Sequence, residues 1–226
     1  MVWIPGVDEV PMSLSSANSG GLSSITIAEV GEATAALHQR KVGDLLGIRG
    51  PYGNSFALAS GKVMIVGGGT GLTPLVPLVD RLSKLPTKIS FLIGAKTRDE
   101  LFFLETIETA VSKVKVTTED GSYGLKGLVT DVAQQILKKE RFDMIYACGP
   151  EKMMLKMCLL AEQYKTAFQA SLERYIRCGI GICGSCCIGE YRICKDGPVF
   201  SGQQLRTVRN EFGLFKRDPD GSKVSF

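Results

Sequence analysis

The run RCGIGICGSCC, residues 177–187, constrains this chain more than any other feature. Cys178, Cys183 and Cys186 stand at C-x4-C-x2-C spacing, Cys187 follows directly, and Cys194 comes after a short polar hairpin. In a reducing compartment, thiols this close together are ligands or redox groups rather than structural disulfides. Cross-links are not needed to hold the fold: 226 residues, 44% apolar and 22% charged, can bury a core of their own. The spacing is that of the plant-type [2Fe–2S] centre, in which four thiolates hold two irons. Gly179, Gly181 and Gly184 let the loop wrap and aim amide N–H groups at sulfur, and Ile180 and Ile182 are expected to shield the centre from water. Zinc is the alternative for any four-cysteine site, but structural zinc usually takes two C-x2-C knuckles and only Cys183–Cys186 forms one. Cys178, Cys183, Cys186 and Cys194 complete the ligand set, which leaves Cys187 as the odd one out. Cys158 lies in a helical pattern and reads as a buried small hydrophobe.

Three zones of composition surround this run. Residues 1–60 hold short β-like stretches (SSITIAEV, LLGIRG) broken by glycine turns, which reads as antiparallel sheet or barrel. Residues 61–170 alternate apolar strands with amphipathic helices, the signature of a doubly wound parallel sheet. Residues 171–226 are rich in cysteine, glycine and charge and read as a small appended module. The N-terminus MVWIPGVDEV carries acid and proline where a secretion signal has basic residues and an apolar run. The longest uncharged stretch, Val63 to Val79, is interrupted by glycines and prolines, so no membrane span is expected and the protein is expected in the cytoplasm. The net charge of +4 gathers in part near the end of the chain. Phe212 and Phe215 fall among those cations without a regular basic–aromatic alternation, and a solvated or protein-facing surface is expected there rather than one for nucleic acid.

The segment VMIVGGGTGLTPL places Gly67, Gly68, Gly69 and Gly71 between a strand and a helix that Thr73 and Pro74 open. Glycines there let backbone amides approach a pyrophosphate at a helix N-terminus. The pattern departs from G-x-G-x-x-G and is weak evidence alone. A second loop, YACGPEKMM, ends another strand of the same zone, and ligands of open α/β sheets collect at strand carboxyl ends. Cys148, Gly149 and Pro150 are therefore expected to face the same crevice. Lys96 and Arg98 in GAKTRDE, and Asp120 in TEDGSYG, are polar candidates there, and they leave NAD and NADP both open. The single histidine, His38, reads as a surface residue.

Together, GPYGNSF, GGGTGLTPL, TEDGSYGLKGLVTDV, YACGPEKMM, SLERYIRCGIGICGSC and CKDGPVFSG closely resemble the electron-transfer subunits of NAD-linked dihydroorotate dehydrogenases, within the ferredoxin reductase superfamily. The resemblance spans nearly the whole chain. It implies an α/β plus β architecture with an antiparallel flavin-binding barrel, a parallel nicotinamide-binding domain and a small C-terminal [2Fe–2S] domain. It also implies FAD contacts at Pro11, Met12 and Ser13, at Ile27, Ala28 and Glu29, and at Ala33 and Thr34, and it favours NAD. Val10 stands where many members have arginine and Ala33 where they have glycine. Members carry further barrel strands before the equivalent of Met1, so the resemblance implies a shortened start or a partner that covers the gap.

The implied activity is electron transfer in pyrimidine synthesis. A partner subunit oxidises dihydroorotate with its own FMN, and electrons pass through [2Fe–2S] and FAD to NAD⁺. The family expectation is a tetramer of two such chains and two catalytic subunits. Ser171 and Glu173 are candidates at the flavin–cluster junction, with strand packing as the equal alternative. Rival readings are a flavin and iron–sulfur subunit of a ferredoxin:NADP oxidoreductase, sulfide dehydrogenase or hydrogenase, and a non-catalytic zinc-stabilised binding module.

Overall fold

The computed structural model describes residues 1–17 and 22–226. The first zone folds into very short strands: β1 (Val2–Ile4), β2 (Asp8–Val10), β3 (Leu14–Ala17), β4 (Ser23–Ile25) and β5 (Gly47–Ile48). β1 pairs antiparallel with both β2 and β5, and β3 pairs with β4. Among the described residues these make a three-stranded and a two-stranded antiparallel sheet rather than a closed barrel. The run EATAALH forms helix α1 (Glu32–His38), within a zone whose sequence reads as β-sheet. Its start is secured by Thr34, whose Oγ1 accepts from the N–H groups of Val30 and Gly31 and donates to the Gly31 carbonyl. Leu37 then buries itself against Val2 and Ile4. His38 is exposed, as expected, with Nε2 3.0 Å from the Ile27 carbonyl oxygen.

The second zone alternates as its pattern predicts. Strands β6 (Gly61–Gly68), β7 (Thr87–Ala95), β8 (Val114–Thr118), β9 (Leu125–Lys126), β10 (Met144–Cys148) and β11 (Ala167–Ser171) run parallel, connected through helices α2 (Leu75–Leu82), α3 (Leu104–Ala110), α4 (Val129–Leu137) and α5 (Glu151–Gln163). The third zone holds β12 (Cys187–Ile188), β13 (Tyr191–Arg192), α6 (Ile193–Asp196), β14 (Val199–Ser201), α7 (Gly202–Thr207), β15 (Phe215–Arg217) and β16 (Lys223–Ser225). It is not merely appended. β14 adds antiparallel to β11, so the sheet reads β14-β11-β10-β6-β7-β8-β9.

Alternation along the strands sorts the core into two layers. Val63 and Ile65 of β6 pack with Phe91 and Ile93 of β7 under α2 and α3, while Met64, Val66 and Leu92 face α4 and α5. The second layer continues into the third zone through Cys186, Ile188, Ile193, Phe200 and Phe212. No helix among the described residues is long and apolar enough to cross a membrane.

Residues 49–59 tie the three zones together. Asn54 donates from Nδ2 to the carbonyls of Asp196 and Val199 at 3.2 and 2.8 Å, and its Oδ1 accepts from the Val199 N–H at 2.9 Å. Further along, Ala57 N–H donates to Gln169 Oε1, the Ala57 carbonyl accepts from the Tyr146 hydroxyl, and Ala59 N–H donates to that same hydroxyl, each at 2.9 Å. A second tie is buried. Arg174 grips the Glu151 carboxylate with both terminal nitrogens, and Glu151 Oε1 also accepts from the Gly213 N–H at 2.9 Å. This pair joins the first turn of α5 to the segment that leads into the cysteine loop.

Two stability predictions follow from these ties. Asn54→Ala removes three hydrogen bonds, two of them part-buried, and is expected to lower the unfolding free energy by about 2 kcal/mol in denaturant titration. A change near zero would show that the strap is not an anchor. Arg174→Met leaves the Glu151 carboxylate buried without its cation, at an expected cost of about 3–5 kcal/mol. The double variant with Glu151→Met should recover most of that loss, and no recovery would contradict the pair's role.

Candidate functional site

The carboxyl ends of β6, β10 and β11 are held level by the sheet: Gly67 pairs with Cys148, and Cys148 with Ser171. The two glycine-bearing loops that leave this edge touch. A Cβ at Gly71 would lie 2.5 Å from the N and Cα of Gly149, so the loops approach this closely only without a side chain. Pro74 and Pro150 cap α2 and α5 on either side of the contact. The Thr73 side chain is buried, and its Oγ1 has no hydrogen-bond partner among the described residues. An orphan hydroxyl beside a glycine cradle fits a bound dinucleotide that would satisfy it.

Cys148 is buried at this edge, and burial pushes its thiol up to about 12 against a hydrogen bond with Ser171, with the nearby Glu173 charge adding to the rise. Burial therefore favours the neutral thiol over the thiolate. Asp120 lies further along the same edge, just beyond β8 and so two strands from β6. The Ser122 N–H and O–H donate to its carboxylate at 2.9 and 2.7 Å and hold it below the usual range. Arg98 N–H donates to Ser122 Oγ at 2.8 Å, and the Arg98 guanidinium stacks 5.8 Å from the Tyr123 ring centre. Lys96, whose carbonyl accepts from the Asp120 N–H at 3.3 Å, completes this polar corner.

The predicted flavin residues lie in the first zone. Pro11, Met12, Ile27, Ala28 and Ala33 are half-buried, and Ser13 and Glu29 are exposed. Met12, Ile27 and Ala33 pack on the buried Val2, Ile4 and Leu37. Ala33 and Thr34 form the first turn of α1, and Thr34 spends its hydroxyl on the cap. Thr26, Ile27 and Ala28 face Thr70, Thr73, Phe102 and Phe103 across a small crevice, which brings the flavin segment and the glycine loop together. The aromatic pair was not singled out in the sequence, because RDELFFLETIETAV has the period of one continuous helix. The chain instead makes a 3-10 turn at Arg98–Glu100, places Phe103 at a left-handed φ of 59°, and only then enters α3. Two adjacent bulky aromatics at the head of a polar helix were the available signal.

The four predicted cysteine ligands converge in two pairs. Cys178 and Cys183 lie at the surface end of the loop within hydrogen-bonding reach of each other. Backbone N–H groups of Cys183, Ile180 and Ile182 point at the Cys178 sulfur and bring its thiol down to about 6. Cys186 and Cys194 are buried, with the Cys194 N–H 3.5 Å from Cys186 Sγ. Burial, and after it the Cys186 partner, pushes the Cys194 thiol up to about 12. Two thiolates for each of two irons is the donor set that a [2Fe–2S] centre needs. The pairwise arrangement of the four thiols fits the two-iron centre.

The loop is shaped by left-handed turns at Gly179, Gly181 and Gly184, with φ of 73°, 79° and 76°. It is held from outside by Arg192, which donates to the Gly181 carbonyl at 3.0 Å, and by Arg49, which donates to the Cys178 carbonyl at 3.2 Å. Arg49 was missed in the sequence because its partner is far along the chain. Ile180 and Ile182 do not bury the loop as expected. They are 49% and 78% exposed, because the flanking glycine turns project them outward. Cys187 opens β12 outside both pairs, and Cys158 is buried in α5, as predicted.

Comparison with known proteins agrees with this geometry. Residues 173–206 match the family model for the iron–sulfur cluster binding domain of dihydroorotate dehydrogenase B, and residues 65–158 match the oxidoreductase NAD-binding domain. A protein of Methanocaldococcus jannaschii described as "Probable dihydroorotate dehydrogenase B (NAD(+)), electron transfer subunit" is 46% identical over 228 residues, covering 100% of this chain and 86% of the relative. The same description applies to a Pyrococcus horikoshii relative that is 47% identical over 98% of this chain and 84% of its own length. Among solved structures, the NADH-dependent reduced ferredoxin-NADP oxidoreductase, studied for flavin-based electron bifurcation, superposes with a TM-score of 0.82 at 29% identity, over 92% of this chain and 80% of that one. The flavohem-like FAD/NAD binding domain of a Vibrio cholerae nitric oxide dioxygenase shares the fold at a TM-score of 0.57 and 23% identity, over 69% of this chain and 71% of that one. With its cysteine pairs, glycine loops and near-full-length likeness, this chain belongs to the family of dihydroorotate dehydrogenase B electron-transfer subunits, built on the ferredoxin reductase-like fold.

Proposed function

We propose that this chain is the electron-transfer subunit of an NAD-linked dihydroorotate dehydrogenase, taking electrons from a catalytic subunit and delivering them to NAD⁺. The observation that carries the reading is the convergence of four thiols in two pairs, on a loop that Arg49 and Asn54 fasten to the strap leaving the flavin zone. A bound two-iron centre exchanges single electrons, a flavin one or two, and a nicotinamide only hydride, which is the chemistry these groups supply in series.

The residues divide the work. Cys178 and Cys183 at the surface and Cys186 and Cys194 in the core would hold the two-iron centre, which would supply one-electron exchange. All four act as thiolates, so loading the centre releases their protons. Pro11, Met12 and Ser13, with Ile27, Ala28 and Glu29, line the FAD, and Ala33 and Thr34 offer it the first turn of α1. Gly67, Gly68, Gly69, Gly71, Thr73 and Pro74, together with Gly149 and Pro150, receive NAD, and Asp120 lies toward its far end. Cys148 would pack beside the nicotinamide as an uncharged, buried wall of the site. Residues 1–60, 61–170 and 171–226 serve as flavin, nicotinamide and cluster domains, the last two sharing one sheet through β14.

The partner is a catalytic subunit with its own FMN, where dihydroorotate becomes orotate, in a tetramer of two plus two. Ile180 and Ile182 support docking at the cluster loop, since two large exposed apolar side chains beside a redox centre suit a contact that excludes water.

The deciding experiment is visible and EPR spectroscopy of the anaerobically purified complex with NADH as reductant. Flavin bands with the signal of a reduced two-iron centre are expected, and a colourless, zinc-containing protein would sink the reading. Cys178→Ser, Cys183→Ser, Cys186→Ser and Cys194→Ser should each lose or alter the iron–sulfur signal, whereas Cys187→Ser should keep it unchanged. Gly71→Ala forces the two loops apart and is expected to weaken NADH binding by about tenfold or more, on the order of 1.4 kcal/mol. Unchanged affinity in a titration of the oxidised flavin would place the nicotinamide elsewhere.

A further inference from the structure

Arg49 stands where the flavin segment meets the cluster loop, and holding the Cys178 carbonyl uses only part of its side chain. Its Nε and Nη2 both donate to the Glu9 carboxylate at 2.6 Å. The remaining nitrogen, Nη1, donates to the Cys178 carbonyl at 3.2 Å and to the Tyr52 hydroxyl at 3.1 Å. Glu9 immediately precedes Val10, Pro11, Met12 and Ser13, and Cys178 is the first of the four paired thiols. One guanidinium therefore joins the flavin segment to the ligand loop across 129 positions of sequence. Tyr52 closes the arrangement: its ring centre is 5.5 Å from the guanidinium carbon, and its edge lies against Gly179, where a Cβ would come within 3.3 Å of two ring carbons.

Stability alone does not account for this pair. The Arg49 and Glu9 side chains are 41% and 24% exposed, and ion pairs so open to water contribute little to folding. What the pair does place is charge. A fixed cation lies at the backbone of the first ligand, and its counter-anion is one bond further away on the flavin side. Electron uptake makes a centre more negative, so a nearby cation favours the reduced form and a nearby anion opposes it.

We infer that Arg49 and Glu9 act as an opposed pair beside the cluster. Arg49 holds the Cys178 end of the ligand loop against the flavin segment and raises the reduction potential there, and Glu9 positions Arg49 and lowers that potential. The inference rests on the two-iron reading of Cys178, Cys183, Cys186 and Cys194. Arg49 and Glu9 are positioning residues, acting through the loop rather than touching any substrate.

The test is an EPR-monitored redox titration of the anaerobically purified complex, comparing the native protein with Arg49→Gln, Arg49→Lys and Glu9→Gln. The midpoint of the centre is expected to fall in Arg49→Gln, to rise in Glu9→Gln, and to stay close to native in Arg49→Lys, which keeps the charge. A purely mechanical brace, broken from either side, would move both variants in the same direction or in neither, and that result overturns the inference. Should Arg49→Gln fail to assemble the centre, Glu9→Gln decides alone, because it keeps the guanidinium and its bond to the Cys178 carbonyl. An upward shift then supports the opposed pair, and no shift or a downward one refutes it. A native complex with no two-iron signal would refute the cluster reading itself, which is distinct from an intact signal that Glu9→Gln leaves in place.

Discussion

The structure depends on one strap, residues 49–59, whose backbone and side chains touch every zone of the chain. Electron transfer needs fixed separations, and three zones joined only by flexible turns would not keep them. The strap supplies the rigidity through satisfied hydrogen bonds in both directions: Arg49 and Asn54 reach the cluster region, and Ala57 and Ala59 are pinned to the sheet by Gln169 and Tyr146. Tyr146 is fully buried in β10, so the pin is anchored in the core. The Glu151–Arg174 pair completes the frame from the opposite side, linking the helix behind the Gly149 loop to the approach to Cys178.

The cysteine loop is asymmetric, and the asymmetry has a physical basis. Its first two thiols sit at the surface among backbone N–H donors, and its last two lie in the core layer shared with α5 and β14. A centre held by all four would span the boundary between surface and core, with Ile180 and Ile182 exposed on its outer side. The edge at which β6, β10 and β11 end, proposed to receive the nicotinamide, shows the complementary feature. Cys148 and Ser171 satisfy each other and carry no charge, which suits a site where hydride is positioned rather than activated by an acid or base.

The sequence by itself determined a good deal. The C-x4-C-x2-C spacing with three glycines forces a tight loop whatever the fold around it, and the strand–helix alternation of residues 61–170 specifies a parallel sheet through local periodicity alone. The glycine loop was legible for the same reason, since the need for absent side chains is written residue by residue. Helix α1 was not legible: it is seven residues long, and its Thr34 cap lies inside the first turn instead of ahead of it. Only the tertiary structure decided how the four thiols pair, that Phe103 turns left-handed into the crevice beside Ile27 and Thr73, that β14 joins the central sheet, and that Arg49 reaches Cys178. Each of these is a contact between residues distant in the chain, set by how layers pack and by which buried donors need acceptors. Such contacts leave no periodic trace in the sequence that makes them.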